Sequence, residues 1–141
     1  GGRTDFVRAV GSLGRIARHR GAVILLSDFP AQEGLERAIG GLSRTHEVIA
    51  IEVRDRRERE LPDVGPVVLR DMETGARRTV DTADPRFQER FAQVAAEADR
   101  DRAAMLARAG ARHAIVETGS DWVTPLIEVI SRSRRRRMAR A

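Results

Sequence analysis

The fold is decided by the stretch from Gly21 to Pro30, which reads GAVILLSDFP. Five apolar residues, 22–26, run without a break and are followed directly by a serine and an aspartate. A continuous apolar run of this kind predicts a strand of a parallel sheet that is buried on both faces. In open α/β sheets, ligands bind beyond the carboxyl ends of the strands. Ser27 and Asp28 therefore occupy a candidate binding position.

Helical and strand-like patterns alternate along the chain and predict an α/β fold. Apolar runs at 47–53 and 114–116 predict two more buried strands, and strand-like runs at 66–71 and 77–81 predict a β-hairpin. The expected architecture is a Rossmann-like parallel sheet flanked by helices, with the hairpin inserted. Four helices are expected: one from an N-cap at Thr4 to about residue 20, one starting at Pro30, one of about seven turns between Pro85 and Gly110, and one capped by Asp121.

Apolar stripes indicate which side of each helix faces the core. Residues spaced three or four apart on a helix share one face, and that face is normally buried when its residues are apolar. The last two helices each carry such a stripe, at Phe87, Phe91, Val94, Ala98, Met105 and Leu106 in one and at Trp122, Leu126, Ile127 and Ile130 in the other.

The composition limits the classes of protein to which the chain belongs. With 141 residues it is expected to form a single domain, 1–141. The lack of cysteine excludes disulfide scaffolds, zinc–thiolate sites and cysteine nucleophiles, and it favours a cytoplasmic location. The longest apolar run is too short to span a bilayer. The chain begins at Gly1 instead of Met, which leaves open a processed form, an engineered form or a piece of something longer.

The positive charge of the chain is concentrated at its end. All of the 26 basic residues are arginine, the net charge is +5, and six arginines fall between Arg132 and Arg140. A basic tail, 132–141, leaves open an alternative function, a nucleic-acid- or membrane-surface-binding module acting through a C-terminal arginine helix. Aromatic residues make up only 4% of the chain and offer little for base stacking, so a nucleic-acid partner is not favoured.

Several segments, in order, resemble the C-terminal half of a bacterial family, domain-of-unknown-function family fifty-eight, whose members carry a von Willebrand factor A-like domain. The resemblance covers nearly the whole chain. Its most specific parts are the Leu-Pro-Asp-Val-Gly segment at 61–65 and the Asp-Met-Glu-Thr-Gly segment at 71–75. Weaker matches lie at Gly2-Arg3-Thr4-Asp5, at Arg20-Gly21 leading into Ser27-Asp28-Phe29, at His46-Glu47-Val48 and between Asp55 and Glu60.

The resemblance implies a metal-ion-dependent adhesion site for Mg²⁺, built from three loops. Thr4 matches the threonine of the second loop and Asp28 matches the aspartate of the third, so these two residues are the candidate metal ligands. The first loop of such sites has the pattern Asp-x-Ser-x-Ser, which does not occur in this sequence. The first strand of the domain, which would pair beside residues 22–26, is missing as well. We therefore expect a free strand edge at Val23 to Leu25 and little or no Mg²⁺ binding by this chain alone.

The leading hypothesis from the sequence is a non-enzymatic protein–protein interaction module with an incomplete adhesion site. The family context suggests a MoxR-type AAA+ ATPase as the partner. A hydrolase or phosphatase that uses Asp28 has little support, because no second carboxylate is fixed near it by the sequence. The three histidines lie far apart and lack the spacing of metal ligands.

Overall fold

The structure, a computed structural model, describes residues 5–55, 63–70 and 75–138, without the side chains of Leu69 and of 132–138. Helices and strands alternate in the order predicted. The elements are α1 (Phe6–Ile16), β1 (Ala22–Ser27), α2 (Leu35–Ser43), β2 (Glu47–Arg54), β3 (Pro66–Arg70), β4 (Arg77–Asp81), α3 (Pro85–Arg108), β5 (Arg112–Glu117) and α4 (Val123–Met138).

The chain divides into two compact units. The first comprises residues 1–54 and 101–141, and the second comprises residues 55–100. The first unit holds a three-stranded parallel sheet in the order β1-β2-β5, and the second holds the antiparallel pair β3-β4. Helix α3 begins in the second unit and ends in the first. A mixed α/β, Rossmann-like sheet with an antiparallel hairpin is thus confirmed.

One face of the parallel sheet carries the main core. The register places Leu25 beside Ala50 and Ala50 beside His113, so these side chains share a face. Helices α1, α2 and α3 contribute to the same cluster, whose buried members are Val10, Leu25, Phe29, Leu35, Ile39, Leu42, Val48, Ala50, Leu106 and Ala109. Each strand residue of this face alternates with one on the other face, so the two faces can be compared residue by residue.

The other face of the sheet is covered only in part. Helix α4 packs on β5 and β2, and Val129 meets Ile49 and Ile51 there. On β1 the same face is open, because Ile24 is 45% and Leu26 64% exposed. The prediction that β1 is buried on both faces is therefore wrong. A continuous apolar run indicates only that both faces of a strand are suited to burial. In the described part of the chain, only one face of β1 is covered.

The edge of β1 is free within the described residues. There β1 pairs with β2, and β5 pairs with β2 on the opposite side. The free edge expected at Val23 to Leu25 is therefore present in this part of the chain.

Two helix starts differ from the prediction. Asp5, not Thr4, is the N-cap of α1, because the Asp5 carboxylate accepts the backbone N–H of Arg8 at 2.9 Å. Helix α2 begins at Leu35 instead of Pro30, after Gly34 at φ +85°. Proline is tolerated in the first turn of a helix, but it also suits an extended turn. The left-handed backbone of Gly34 prevents the helix from starting before Leu35. Helix α1 ends at Ile16, earlier than expected.

The second unit is held by a buried threonine. Thr82, 1% exposed, donates its hydroxyl to the carbonyl of Gly65 at 2.8 Å and accepts the N–H of Val64 at 3.2 Å. The Gln88 side chain donates to the Thr82 carbonyl at 2.7 Å. The hairpin expected from the sequence is confirmed, with Val67 opposite Val80. These bonds tie both ends of the hairpin to the first turn of α3.

The ends of the last two helices follow the sequence signals. Gly110, at φ +75°, ends α3, and a Cβ there would lie 3.3 Å from the Cβ of Ser43. Asp121 caps α4 by accepting the N–H of Val123 at 3.0 Å. Four residues predicted on inner helix faces are exposed instead, namely Val94, Ala98, Trp122 and Ile127. No helix in the described ranges is long and apolar enough to cross a membrane.

Candidate functional site

A short polar turn follows β1 at the carboxyl end of the sheet. We call residues Ser27, Asp28 and Phe29 the Asp28 turn. The hydroxyl of Ser27 donates to the Asp28 carboxylate at 3.2 Å and accepts the N–H of Phe29 at 3.0 Å. Asp28 itself is exposed, while Phe29 is 1% exposed. The turn therefore presents one carboxylate to solvent from a backbone that is fixed on both sides.

The backbone of Phe29 is strained. Its φ is +48°, a left-handed value that non-glycine residues rarely adopt, and among the described non-glycine residues it is the one with positive φ. Such strain costs about 1–3 kcal/mol and persists only where the surroundings enforce it. Here the ring of Phe29 is buried against that of Phe6, with centroids 5.7 Å apart in an edge-to-face arrangement. Strained backbone of this kind clusters at binding and catalytic sites, which marks the turn as a functional candidate.

A buried charge cluster lies on the packed face of the same sheet. We call it the Glu52 cluster, formed by Glu52, Arg54, Arg102 and His113. Glu52, 1% exposed, accepts Arg54 Nε at 2.7 Å and Arg102 Nη1 at 2.6 Å on Oε1. Its Oε2 accepts the Nε2–H of His113 at 2.7 Å. Both carboxylate oxygens are thus engaged, as a buried carboxylate requires.

The cluster keeps Glu52 ionised. Burial works to raise the pKa of Glu52, but the hydrogen bond from Arg54 and the charges of Arg102 and Arg54 outweigh it. The bond from His113 acts in the same direction, and the pKa of Glu52 is lowered overall. A carboxylate surrounded by two guanidinium groups is a poor cation ligand, because its charge is already compensated. The Glu52 cluster is accordingly an ion-pair network.

Arg102 links the cluster to the Asp28 turn. While its Nη1 binds Glu52, its Nε donates to the carbonyl oxygen of Phe29 at 3.3 Å. The register also places Ser27 beside Glu52 across β1 and β2, on the same face of the sheet. The two features therefore form one connected structure at the carboxyl end of the sheet.

The described residues do not by themselves fit Mg²⁺. Mg²⁺ takes oxygen ligands in near-octahedral geometry and usually needs at least one or two carboxylates with further donors. Among the described residues no group of three His, Cys, Asp or Glu side chains could hold a metal ion. Asp28 is exposed and Glu52 is saturated, while Thr4 lies outside the described residues, so its predicted role as a ligand stays a prediction.

The Glu52 cluster was not predicted from the sequence. Glu52 is separated by 50 residues from Arg102 and by 61 from His113, so no local spacing announces the contact. The one available signal was a charged residue on the packed side of an apolar strand. Two of the histidines have structural roles: His46 is buried with its Nε2 3.1 Å from the carbonyl of Ala17, and His113 binds Glu52. Most of the stretch between Asp55 and Glu60, the first residues of the 61–65 segment and most of the 71–75 segment lie outside the described residues.

Comparison with known proteins finds similarity to mycobacterial sequences. It is 37% identical over 139 residues to an uncharacterized protein of Mycobacterium avium, covering 99% of this chain and 82% of the relative. It is also 37% identical to uncharacterized proteins of Mycobacterium bovis and Mycobacterium tuberculosis, again over 99% of this chain. The chain spans 44% of the length of these two relatives. No solved structure matches it.

The family comparison agrees with the resemblance that the motifs indicated. The family described as "Protein of unknown function DUF58" matches residues 1–103, a range that includes β1, the Asp28 turn, Glu52 and Arg102. His113 and α4 lie beyond the matched range. The match and the mycobacterial relatives together show that the chain belongs to the DUF58 family.

Proposed function

We propose that the chain is a non-enzymatic protein–protein interaction module whose binding surface is the carboxyl edge of the sheet around Asp28. The observation that carries the proposal is the Asp28 turn, in which an exposed carboxylate stands on a strained backbone next to a buried ring. Strain of this kind clusters at functional sites, which supports presentation of the carboxylate to a partner.

The free edge of β1 supports the further proposal that the chain is the C-terminal portion of a von Willebrand factor A-like domain. Long apolar strands with an open edge are normally covered, and Ile24 and Leu26 are exposed on the same strand. In a complete domain a further strand would pair with β1, and its loop would stand beside Asp28. The two longer relatives have the length for such a segment.

The proposed partner class, from the family resemblance, is a MoxR-type AAA+ ATPase. The test is a titration of the chain with a purified ATPase of this class, in which calorimetry measures the binding affinity. Asp28→Ala is expected to weaken binding at least tenfold, about 1.4 kcal/mol, because the presented carboxylate is lost. Glu33→Ala is the matched control, since Glu33 is an exposed carboxylate in the loop before α2. Equal binding by wild type and Asp28→Ala would remove the proposed surface.

The proposal includes weak or undetectable binding of Mg²⁺ by this chain alone. The reason is the ligand count at the Asp28 turn, where one exposed carboxylate stands next to one hydroxyl. Calorimetric titration with MgCl₂ is expected to show no saturable heat. Micromolar binding that Asp28→Ala abolishes would contradict this part of the proposal.

A further inference from the structure

Arg102 contacts both the central strand of the sheet and the Asp28 turn. Its Nη1 lies 2.6 Å from Oε1 of Glu52, on the central strand. Its Nε lies 3.3 Å from the carbonyl oxygen of Phe29, in the Asp28 turn. Both donors belong to one planar, rigid group, so the position of one contact constrains the other.

The Glu52 end of this connection is immobile. Glu52 is buried, and it is held by Arg54 on Oε1 and by His113 on Oε2 in addition to Arg102. If the Glu52 carboxylate moved together with Arg102, it would lose its bonds to Arg54 and His113. That would leave a buried charge unpaired, which is strongly unfavourable. The orientation of the Arg102 guanidinium is therefore set by Glu52.

The Phe29 end is the strained part of the turn. The N–H of Phe29 is held by Ser27, and its ring is held by the core. Its carbonyl oxygen is held by Arg102. The carbonyl contact restricts the rotation of the peptide plane after Phe29, which the ring and the Ser27 bond do not restrict directly.

We propose that Arg102 is a positioning residue for Asp28. Anchored on Glu52, its guanidinium fixes the carbonyl of Phe29 and so holds the left-handed backbone that projects the Asp28 carboxylate into solvent. The inference rests on the proposed function, which gives the orientation of Asp28 its purpose. It assigns to α3 a direct influence on the binding surface of the sheet.

The variant Arg102→Lys separates positioning from general stabilisation. Lysine keeps the positive charge beside Glu52, but its single ammonium on a flexible stem cannot serve both acceptors in the geometry of the fork. Amide hydrogen exchange at Phe29, followed by NMR, is expected to accelerate about fivefold relative to wild type, the loss of roughly one net hydrogen bond. The amide signals of Asp28 and Phe29 are expected to shift. Exchange at Ala50, in the middle of the sheet, is expected to change much less.

Arg108→Lys provides the matched control. Arg108 lies on the same helix and also binds a carboxylate, that of Glu36, at 3.0 Å. No contact of Arg108 with the Asp28 turn is seen among the described residues. This variant is expected to leave both the exchange rate and the signals of Phe29 unchanged.

Two results would overturn the proposal. One is exchange at Phe29 in Arg102→Lys that equals wild type, with the signals of Asp28 unmoved. The other is a uniform acceleration at Phe29 and Ala50, which would show that Arg102 acts only on global stability. If Arg102→Lys fails to fold, Glu52→Asp serves instead, because it keeps the charge but withdraws the anchor by one methylene. The same local acceleration is expected there, and its absence would also overturn the proposal.

The positioning role and the proposed function can fail separately. A turn that loosens in Arg102→Lys, together with unchanged ATPase binding by Asp28→Ala, would keep the positioning role and remove the interaction function. Loss of binding in Asp28→Ala, together with an unaltered turn in Arg102→Lys, would keep the interaction function and remove the positioning role. If both hold, Arg102→Lys is expected to weaken partner binding by less than Asp28→Ala does.

Discussion

The two faces of the parallel sheet are built from the same kind of residue and yet differ in their surroundings. On one face, three helices close over β1 and β2, and the buried residues include Leu25 and Ala50. On the other face, α4 covers β2 and β5, and Leu26 stays exposed on β1. Neighbouring leucines on one strand thus meet a core on one side and water on the other.

The difference shows which face of the sheet is covered by the described residues and which is open. The packed face is covered by helices, and it accommodates Glu52 by surrounding it with Arg54, Arg102 and His113. The open face and the free edge of β1 form one continuous region that the described residues leave uncovered. Asp28 stands at the end of this same strand, so the proposed binding surface borders the open region.

The largest expected effect is the contrast between Leu25→Ala and Leu26→Ala. Removing the buried leucine leaves a cavity on the packed face, and a loss of about 3 kcal/mol in the free energy of unfolding is expected. Removing the exposed leucine is expected to change the free energy by less than about 0.5 kcal/mol. Urea denaturation at equal protein concentration measures both. Equal losses would mean that the open face is covered in solution, and the comparison of faces would fail.

The sequence predicted the elements of both faces but not their difference. The runs at 22–26 and 47–53 predicted strands because apolar β-forming residues follow one another there. Turn residues predicted the hairpin, and cap residues predicted α3. Burial on both faces was inferred from the same run, and it failed for Ile24 and Leu26. Burial depends on which helices cover a strand, which is a property of distant segments.

Only the part of the candidate site that is contiguous in sequence could be predicted. Ser27 and Asp28 were found because the carboxyl end of a buried strand is a general ligand position. The left-handed backbone of Phe29 could not be foreseen, because the residues that contact Phe29, Phe6 and Arg102, lie in other parts of the chain. The start of α2 was placed at Pro30 instead of Leu35 because proline suits an extended turn as well as a first helical turn.

The second expected effect concerns the polar member of the packed face. Glu52→Gln removes the negative charge that compensates two partly buried arginines. A loss of about 2–3 kcal/mol in the free energy of unfolding is therefore expected. The figure lies below the roughly 3–5 kcal/mol typical of a broken buried pair, because Arg54 and Arg102 keep some contact with water. Denaturation at about pH 7 measures the change, with all other carboxylates ionised. A stable Glu52→Gln variant would show that the packed face does not depend on its charge network.

A third effect follows from the lowered pKa of Glu52. The ordinary value is 4.5, and the folded value is lower, so the unfolded chain binds a proton more readily. The stabilisation is fully present above the unfolded value and is lost as the pH falls through the folded one. The difference in unfolding free energy between wild type and Glu52→Gln is therefore expected to shrink below pH 4.5. A difference that stays constant with pH would contradict the ionised, bonded state of Glu52.

The smallest expected effect is that of Glu36→Gln, which breaks an ion pair outside the sheet. Arg108 contacts both oxygens of Glu36 at 3.0–3.2 Å, whereas Arg54 and Arg102 each contact one oxygen of Glu52, at 2.6–2.7 Å. The hydrogen bond from Arg108 lowers the pKa of Glu36, yet both side chains are exposed. Water and dissolved salt screen such pairs, so little change in stability is expected, and none in about 1 M salt, where the Debye length is about 3 Å. A loss as large as that in Glu52→Gln would mean that geometry, rather than burial on the packed face, decides the strength of ion pairs in this protein.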